Sequence, residues 1–92
     1  MLRTASRVDA NQADIVRALR GIGASVFHVH QLKNAFDILV GYRGRTFLME
    51  IKTSEKETLT PGEAEFKRTW RGSPYHIVYT SDQAIAIITA PA

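Results

Sequence analysis

Asp37, Glu50 and Lys52 are the residues whose types and spacing best suit chemistry in this chain. Glu50 and Lys52 are two apart, so on a strand they project from one face. Asp37 precedes the apolar run Ile38-Leu39-Val40, and the Gly41–Gly44 segment offers a hairpin turn before the next apolar run. An antiparallel return across that turn sets the end of the later strand opposite the start of the earlier one, with Asp37 beside Glu50. Two carboxylates and an ammonium then converge in an apolar strand pair, where burial without partners is costly. A divalent cation removes that cost, because Mg²⁺ prefers carboxylate, carbonyl and water oxygens. Such a cation acidifies a bound water and offsets charge on a phosphate. Lys52 would orient that water or stabilise the developing charge. The Ile51 backbone carbonyl, between the two side chains, is a further candidate ligand. The same residues also suit a plain Glu50–Lys52 salt bridge with Asp37 as a strand-end acid, and spacing alone favours that simpler arrangement slightly.

The elements that must position these residues follow from pattern. Ile15, Val16, Leu19 and Ile22 recur at helical spacing, which predicts a helix from about Asp9 to Ile22. Asp9 suits its N-cap, with Gln12 in capping-box position, and Gly21 and Gly23 suit its end. Strands are expected over Ser25 to His30, Phe36 to Tyr42 and Thr46 to Thr53. Thr60-Pro61-Gly62-Glu63 starts a second helix, with Thr60 as cap, Pro61 at N1 and Glu63 closing a capping box; it ends near Trp70. Tyr75 to Thr80 is a fourth strand, and Ser81 to about Ile88 a short last helix or turn led by Ser81-Asp82. The order α-β-β-β-α-β-α predicts an α/β fold, a mixed sheet with helices on both faces. Residues 1–8 are expected to be a loose lead-in, with Arg3 and Arg7 exposed.

Bulk properties bound these expectations. At 92 residues one domain is the natural count, and a core this small gains from oligomerisation. There is no cysteine, so a disulfide framework and a thiolate metal site are excluded. Twelve Lys and Arg against nine Asp and Glu give a net charge of +3, which permits a nucleic-acid partner without demanding one. No membrane span and no secretory leader are expected, which suits the cytoplasm.

The stretch Phe36-Asp37-Ile38-Leu39-Val40-Gly41-Tyr42-Arg43-Gly44-Arg45, followed by Leu48-Met49-Glu50-Ile51-Lys52, resembles the core of the VRR-NUC (virus-type replication-repair nuclease) family of the PD-(D/E)xK superfamily. The likeness runs from the first helix through Leu59-Thr60-Pro61 and Trp70-Arg71-Gly72 to the last strand. It implies a restriction-endonuclease-like αβββαβ core. It also implies Asp37 and Glu50 as metal-binding carboxylates, Lys52 as the catalytic lysine, and Mg²⁺- or Mn²⁺-dependent hydrolysis of DNA. Some members act as homodimers on branched DNA such as four-way junctions. Phe36 stands where the family usually has proline, and Gln12 where it usually has a first-helix glutamate. Gln12 shares the face of Ile15, Val16 and Leu19, and it serves as a fourth site residue or as a cap partner. Asp9 and Asp14 are the acids nearest to that role, though Asp14 lies off the apolar face. Glu63, where relatives often carry glutamine, has the same two options.

Lys33, Arg43, Arg45 and Lys56 are candidate DNA contacts, with Lys67, Arg68 and Arg71 behind them; such contacts confer affinity rather than sequence specificity. His28 and His30 share a strand face, but no third nitrogen or sulfur ligand accompanies them. His76 reads as an ordinary strand residue. Phe66 and Trp70, one helical turn apart, suit a dimer surface. Two other functions fit the same residues: a non-catalytic nucleic-acid-binding module, and a phage-type regulatory or interaction protein.

Overall fold

The computed structural model describes residues 6–92, with side chains from residue 10 onward. Its elements are α1 (Ser6–Gly21), β1 (Ser25–His28), β2 (Ile38–Tyr42), β3 (Arg45–Ile51), α2 (Pro61–Thr69), β4 (Tyr75–Val78) and α3 (Ser81–Thr89). The strands form one sheet in the order β1-β2-β3-β4. The first three run as an antiparallel meander, and β4 joins β3 in parallel after the α2 crossover. This is the mixed sheet that the alternation of elements predicts.

Alternation along each strand divides the residues between two faces. Val26, Ile38, Val40, Met49, Ile51 and Val78 are buried on the first, under Ile15, Val16 and Leu19 of α1 and Ala84 and Ile88 of α3. Those three α1 residues are the stripe that the helical spacing marks. The second face carries Leu48, Glu50 and Lys52, all buried, and α2 lies over it. No residue of α2 is itself buried. Its apolar hold is Phe66, with ring centroids 5.8 Å from Phe36 and 6.0 Å from Tyr75.

The β2–β3 turn sets the register. Tyr42 pairs with Arg45, which leaves a two-residue loop, Arg43-Gly44. Both have positive φ, 51° and 78°. That is the primed turn matching the twist of an antiparallel pair, and glycine takes its share at no steric cost. Gly41 lies in β2 rather than in the turn.

Several boundaries differ from expectation. The α1 backbone is helical from Ser6, so Asp9 is an interior position and not the N-cap. Its side chain, that of Arg7, and residues 1–5 of the expected lead-in lie outside the described residues. β1 stops at His28: Val29 N–H still donates to the Asp37 carbonyl at 2.9 Å, but the chain then turns, with Leu32 N–H donating to the Val29 carbonyl at 2.9 Å. α3 begins with Ser81-Asp82 as expected, and Thr80 just before it is the N-cap: its hydroxyl accepts from Gln83 N–H, and the Gln83 side chain accepts from Thr80 N–H. Thr60 caps α2 as its sequence predicts. No helix among the described residues is long and apolar enough to cross a membrane.

Stability should therefore be unequal between the two faces. Leu19→Ala, in the fully buried stripe, should cost roughly 2–5 kcal/mol. Phe66→Ala, on the half-buried helix, should cost about 1 kcal/mol. Urea denaturation followed by circular dichroism checks both; equal costs would contradict this division.

Candidate active site

Backbone pairing continues one residue past β2, since Asp37 N–H donates to the Met49 carbonyl at 3.0 Å. Ile38 is opposite Met49, so Asp37 is opposite Glu50 and on the same face. One Asp37 oxygen, Oδ2, accepts from Ile51 N–H at 2.7 Å. Glu50 is only 3% exposed. Lys52 follows β3 and is held by its own N–H, which donates to the Val78 carbonyl at 3.0 Å. Its Nζ lies 3.3 Å from Glu50 Oε2 and 3.1 Å from Glu63 Oε1. Asp37, Glu50 and Lys52 thus meet at one end of the hairpin.

A Glu50–Lys52 salt bridge is present, but it does not balance the site. Three carboxylates, Asp37, Glu50 and Glu63, face one ammonium. Burial, then the charges of Asp37 and Glu63, push the Glu50 carboxyl up to about 8. Asp37 is raised too, by burial above all, against the Ile51 N–H bond. Burial also penalises the charge of Glu63, yet the Thr60 N–H and Lys52 ammonium hold its carboxyl below its usual range. Lys52 loses to burial and gains more from Glu63 and Glu50, so its ammonium is favoured. Burial and the three carboxylates raise the Tyr75 phenol, whose hydroxyl donates to the Ala35 carbonyl at 3.2 Å.

Two adjacent carboxyls that resist ionising together suit a shared divalent cation. Among the described residues no three Asp, Glu, His or Cys side chains form a ready-made cage. Mg²⁺ does not need one, since it commonly takes one or two carboxylates and keeps several waters. The Ile51 carbonyl leaves the strand on the same side as the N–H that reaches Asp37, beyond the start of β2. The donor set is therefore two carboxylates and a carbonyl, all oxygen, and it fits a hard cation.

The other candidates fall elsewhere. Gln12 is hydrogen-bonded to His28, Nε2 to Nδ1 at 3.0 Å, and makes no hydrogen bond to the trio. His28 is opposite Ile38, so the pair lies on the α1 face, the reverse of the Asp37–Glu50 face. Asn11 of α1 reaches the site strand: its Nδ2 donates to the carbonyls of Lys52 at 3.1 Å and Tyr79 at 3.2 Å. One residue turns a helix by about 100°, which separates the two directions. Asn11 went unnoticed because a single amide beside an apolar stripe carries no spacing signal. Asp14 pairs with Arg17 on the surface. The His28 and His30 rings pack edge to face at 6.1 Å. Lys33 and Lys56 are exposed on the loops that lead into Asp37 and out of Lys52, so in the chain they flank the site residues.

Arg43 and Arg45 occupy the opposite end of the hairpin. Arg45 lies five residues before Glu50, roughly 16 Å along a strand. Their guanidinium groups sit over Tyr42 at 5.2 Å and Phe47 at 5.0 Å, and Arg45 also bonds the Ala90 carbonyl. A concavity of about 680 Å³ lined by Arg45, Phe47, His76 and Ile87 opens at that end, away from the trio.

Neither a family model nor a curated protein matches the chain. A solved structure described as "VRR_NUC domain" superimposes with a TM-score of 0.70, covering 94% of this chain and 98% of the other at 23% identity. The chain has the VRR_NUC fold. The αβββαβ order and mixed sheet expected from the sequence are those of this restriction-endonuclease-like architecture, with Asp37 just before β2, Glu50 in β3 and Lys52 just after it.

Stability of the VRR_NUC fold here should depend on pH through Glu50. Its carboxyl is raised from 4.5 to about 8, so between those values the folded chain keeps a proton that the unfolded chain releases. That contribution is complete below the lower value and is lost as pH rises through the upper one. In EDTA the protein should melt lower at about pH 8.5 than at about pH 6. Glu50→Gln should remove most of that difference in a thermal melt; an unchanged difference would assign it to another group.

Proposed function

We propose that this chain is a VRR-NUC nuclease that hydrolyses DNA phosphodiester bonds with Mg²⁺ or Mn²⁺. The observation that carries the proposal is the pairing of Asp37 with Glu50 on one sheet face, with the Lys52 ammonium 3.3 Å from Glu50. Asp37, Glu50 and the Ile51 carbonyl would hold the cation. When bound there, it supplies Lewis acidity toward phosphate and lowers the pKa of a coordinated water. Lys52 is a charged donor already desolvated on the same face, suited to orient the attacking water and offset charge on the phosphate. Asp37 cannot swing away, because Ile51 N–H holds one of its oxygens. Lys33 and Lys56 would meet phosphates on either side, giving salt-dependent affinity without base readout. Arg43 and Arg45 belong to a more distant contact, if DNA extends along the hairpin. Branched DNA such as a four-way junction is the proposed preferred substrate, cut by a homodimer whose two sites face two strands.

One observation favours a second reading, a DNA-binding module without catalysis. Gln12 stands where the family usually has a glutamate; it provides no carboxylate and is bonded to His28.

Incubation with supercoiled plasmid and a synthetic four-way junction, in Mg²⁺, Mn²⁺ or EDTA, separates the two. Cleavage should require the metal and fall by roughly 100-fold or more in Lys52→Ala and Asp37→Ala. Retention of DNA without cleavage by the wild type supports the binding module. Cleavage that is equal in wild type and variants, or that persists in EDTA, sinks the nuclease proposal.

A further inference from the structure

Glu63 is the N3 residue of α2, and its carboxylate has two jobs. Oε1 accepts from Thr60 N–H at 2.9 Å while Glu63 N–H donates to Thr60 Oγ1 at 3.2 Å, which is the capping box. The same Oε1 accepts from Lys52 Nζ at 3.1 Å. A capping box works with Gln as well as Glu. The helix therefore needs the shape of this side chain and not its charge.

The charge has a use across the gap. Lys52 Nζ touches Glu50 as well, so the ammonium bridges a sheet carboxylate and a helix carboxylate. A divalent cation on Glu50 and an ammonium 3.3 Å from that carboxylate repel each other. The ammonium is buried and cannot be left without an anionic partner. Glu63 is held in place to be that partner. Gly62, beside it, packs so closely on Asn34 that any Cβ would clash with the Asn34 side chain. The α2 N-terminus is thus seated on the loop that leads into Asp37.

We infer that Glu63 is a positioning residue: it gives the Lys52 ammonium a second anionic partner, so that the ammonium can give up Glu50 to a divalent cation without being left unpaired. This rests on Asp37 and Glu50 being the cation-holding pair proposed above. It concerns cation binding by the protein alone, before any DNA is present.

Calorimetric titration of Mn²⁺ into wild type, Glu63→Gln, Lys52→Met and the double variant tests it. Glu63→Gln, whose cap is intact, should weaken Mn²⁺ binding about tenfold. In the Lys52→Met background the same change should alter affinity less than twofold, because no ammonium remains to be held. Equal weakening in both backgrounds would make Glu63 a direct ligand and overturn the inference; no weakening in either would also overturn it. Thr60→Ala, which damages the cap and spares the charge, should lower the melting temperature while leaving Mn²⁺ affinity near that of wild type. Weakening by Thr60→Ala as large as that by Glu63→Gln would reduce Glu63 to a cap, and this contrast decides even if Lys52→Met does not fold. A wild type that binds no Mn²⁺ overturns both this inference and the metal site. A wild type showing the expected cycle but no DNA cleavage defeats the nuclease proposal alone.

Discussion

The Lys52 ammonium lies between Glu50 of β3 and Glu63 of α2, with Asp37 next to Glu50. An isolated ion pair could have been satisfied there. A third carboxylate makes that impossible, and the surplus negative charge governs this face of the sheet. Either a proton or a cation must occupy it. Both solutions rely on the same frame, namely the meander register that opposes Asp37 to Glu50 and the Ile51 N–H that ties Asp37 down. A one-residue slip of β2 against β3 would turn Asp37 to the α1 face. The Arg43-Gly44 turn, at the far end of the hairpin, thereby controls the assembly of the charged site.

The two faces divide the work. The α1 and α3 face holds the continuous apolar core, so the loss in stability caused by buried charge is offset away from the chemistry. The α2 face holds the charges and little apolar cover. α2 is retained by Phe66, by its cap and by the Lys52–Glu63 pair, with no buried residue of its own. Elements with few buried apolar contacts open at lower free energy than the core. The helix that supplies Glu63 is thus the one best able to adjust when the charge of the site changes.

Legibility in the sequence followed the reach of each signal. Period and turn chemistry are local, and they located all seven elements, the mixed sheet and the Thr60–Glu63 cap. Asp37, Glu50 and Lys52 were legible because a two-residue spacing and one hairpin are enough to bring them to one face. Gln12 was misplaced because a helical face points toward a sheet without specifying which strand it meets; His28 is 16 residues away. Asn11 bonds carbonyls 41 and 68 residues away, which no pattern within a window reveals. Glu63 was visible as a cap and ambiguous as a site residue, and both roles proved to share one oxygen. Asp9 suits an N-cap by type as well as any residue near it, yet the backbone is already helical at Ser6, so residue type alone does not mark where α1 starts.

The distribution of positive charge bears on why a cation should matter to binding as well as chemistry. Among the described residues the positive charge is not gathered at the site. Arg43 and Arg45 sit over aromatic rings at the opposite end, Arg17 and Arg68 are paired with Asp14 and Glu65, and Lys52 is enclosed by carboxylates. Lys33 and Lys56 are exposed cations on the two flanking loops, Lys56 beside the exposed Glu55. A phosphodiester approaching the metal-free site would meet the carboxyl groups of Asp37, Glu50 and Glu63 against one ammonium, with screening weakest where they are buried. On the nuclease proposal, a divalent cation reverses the local sign before it acts on the phosphate. The excess of acid that makes the empty site costly is then also what confines productive DNA contact to the metal-loaded protein.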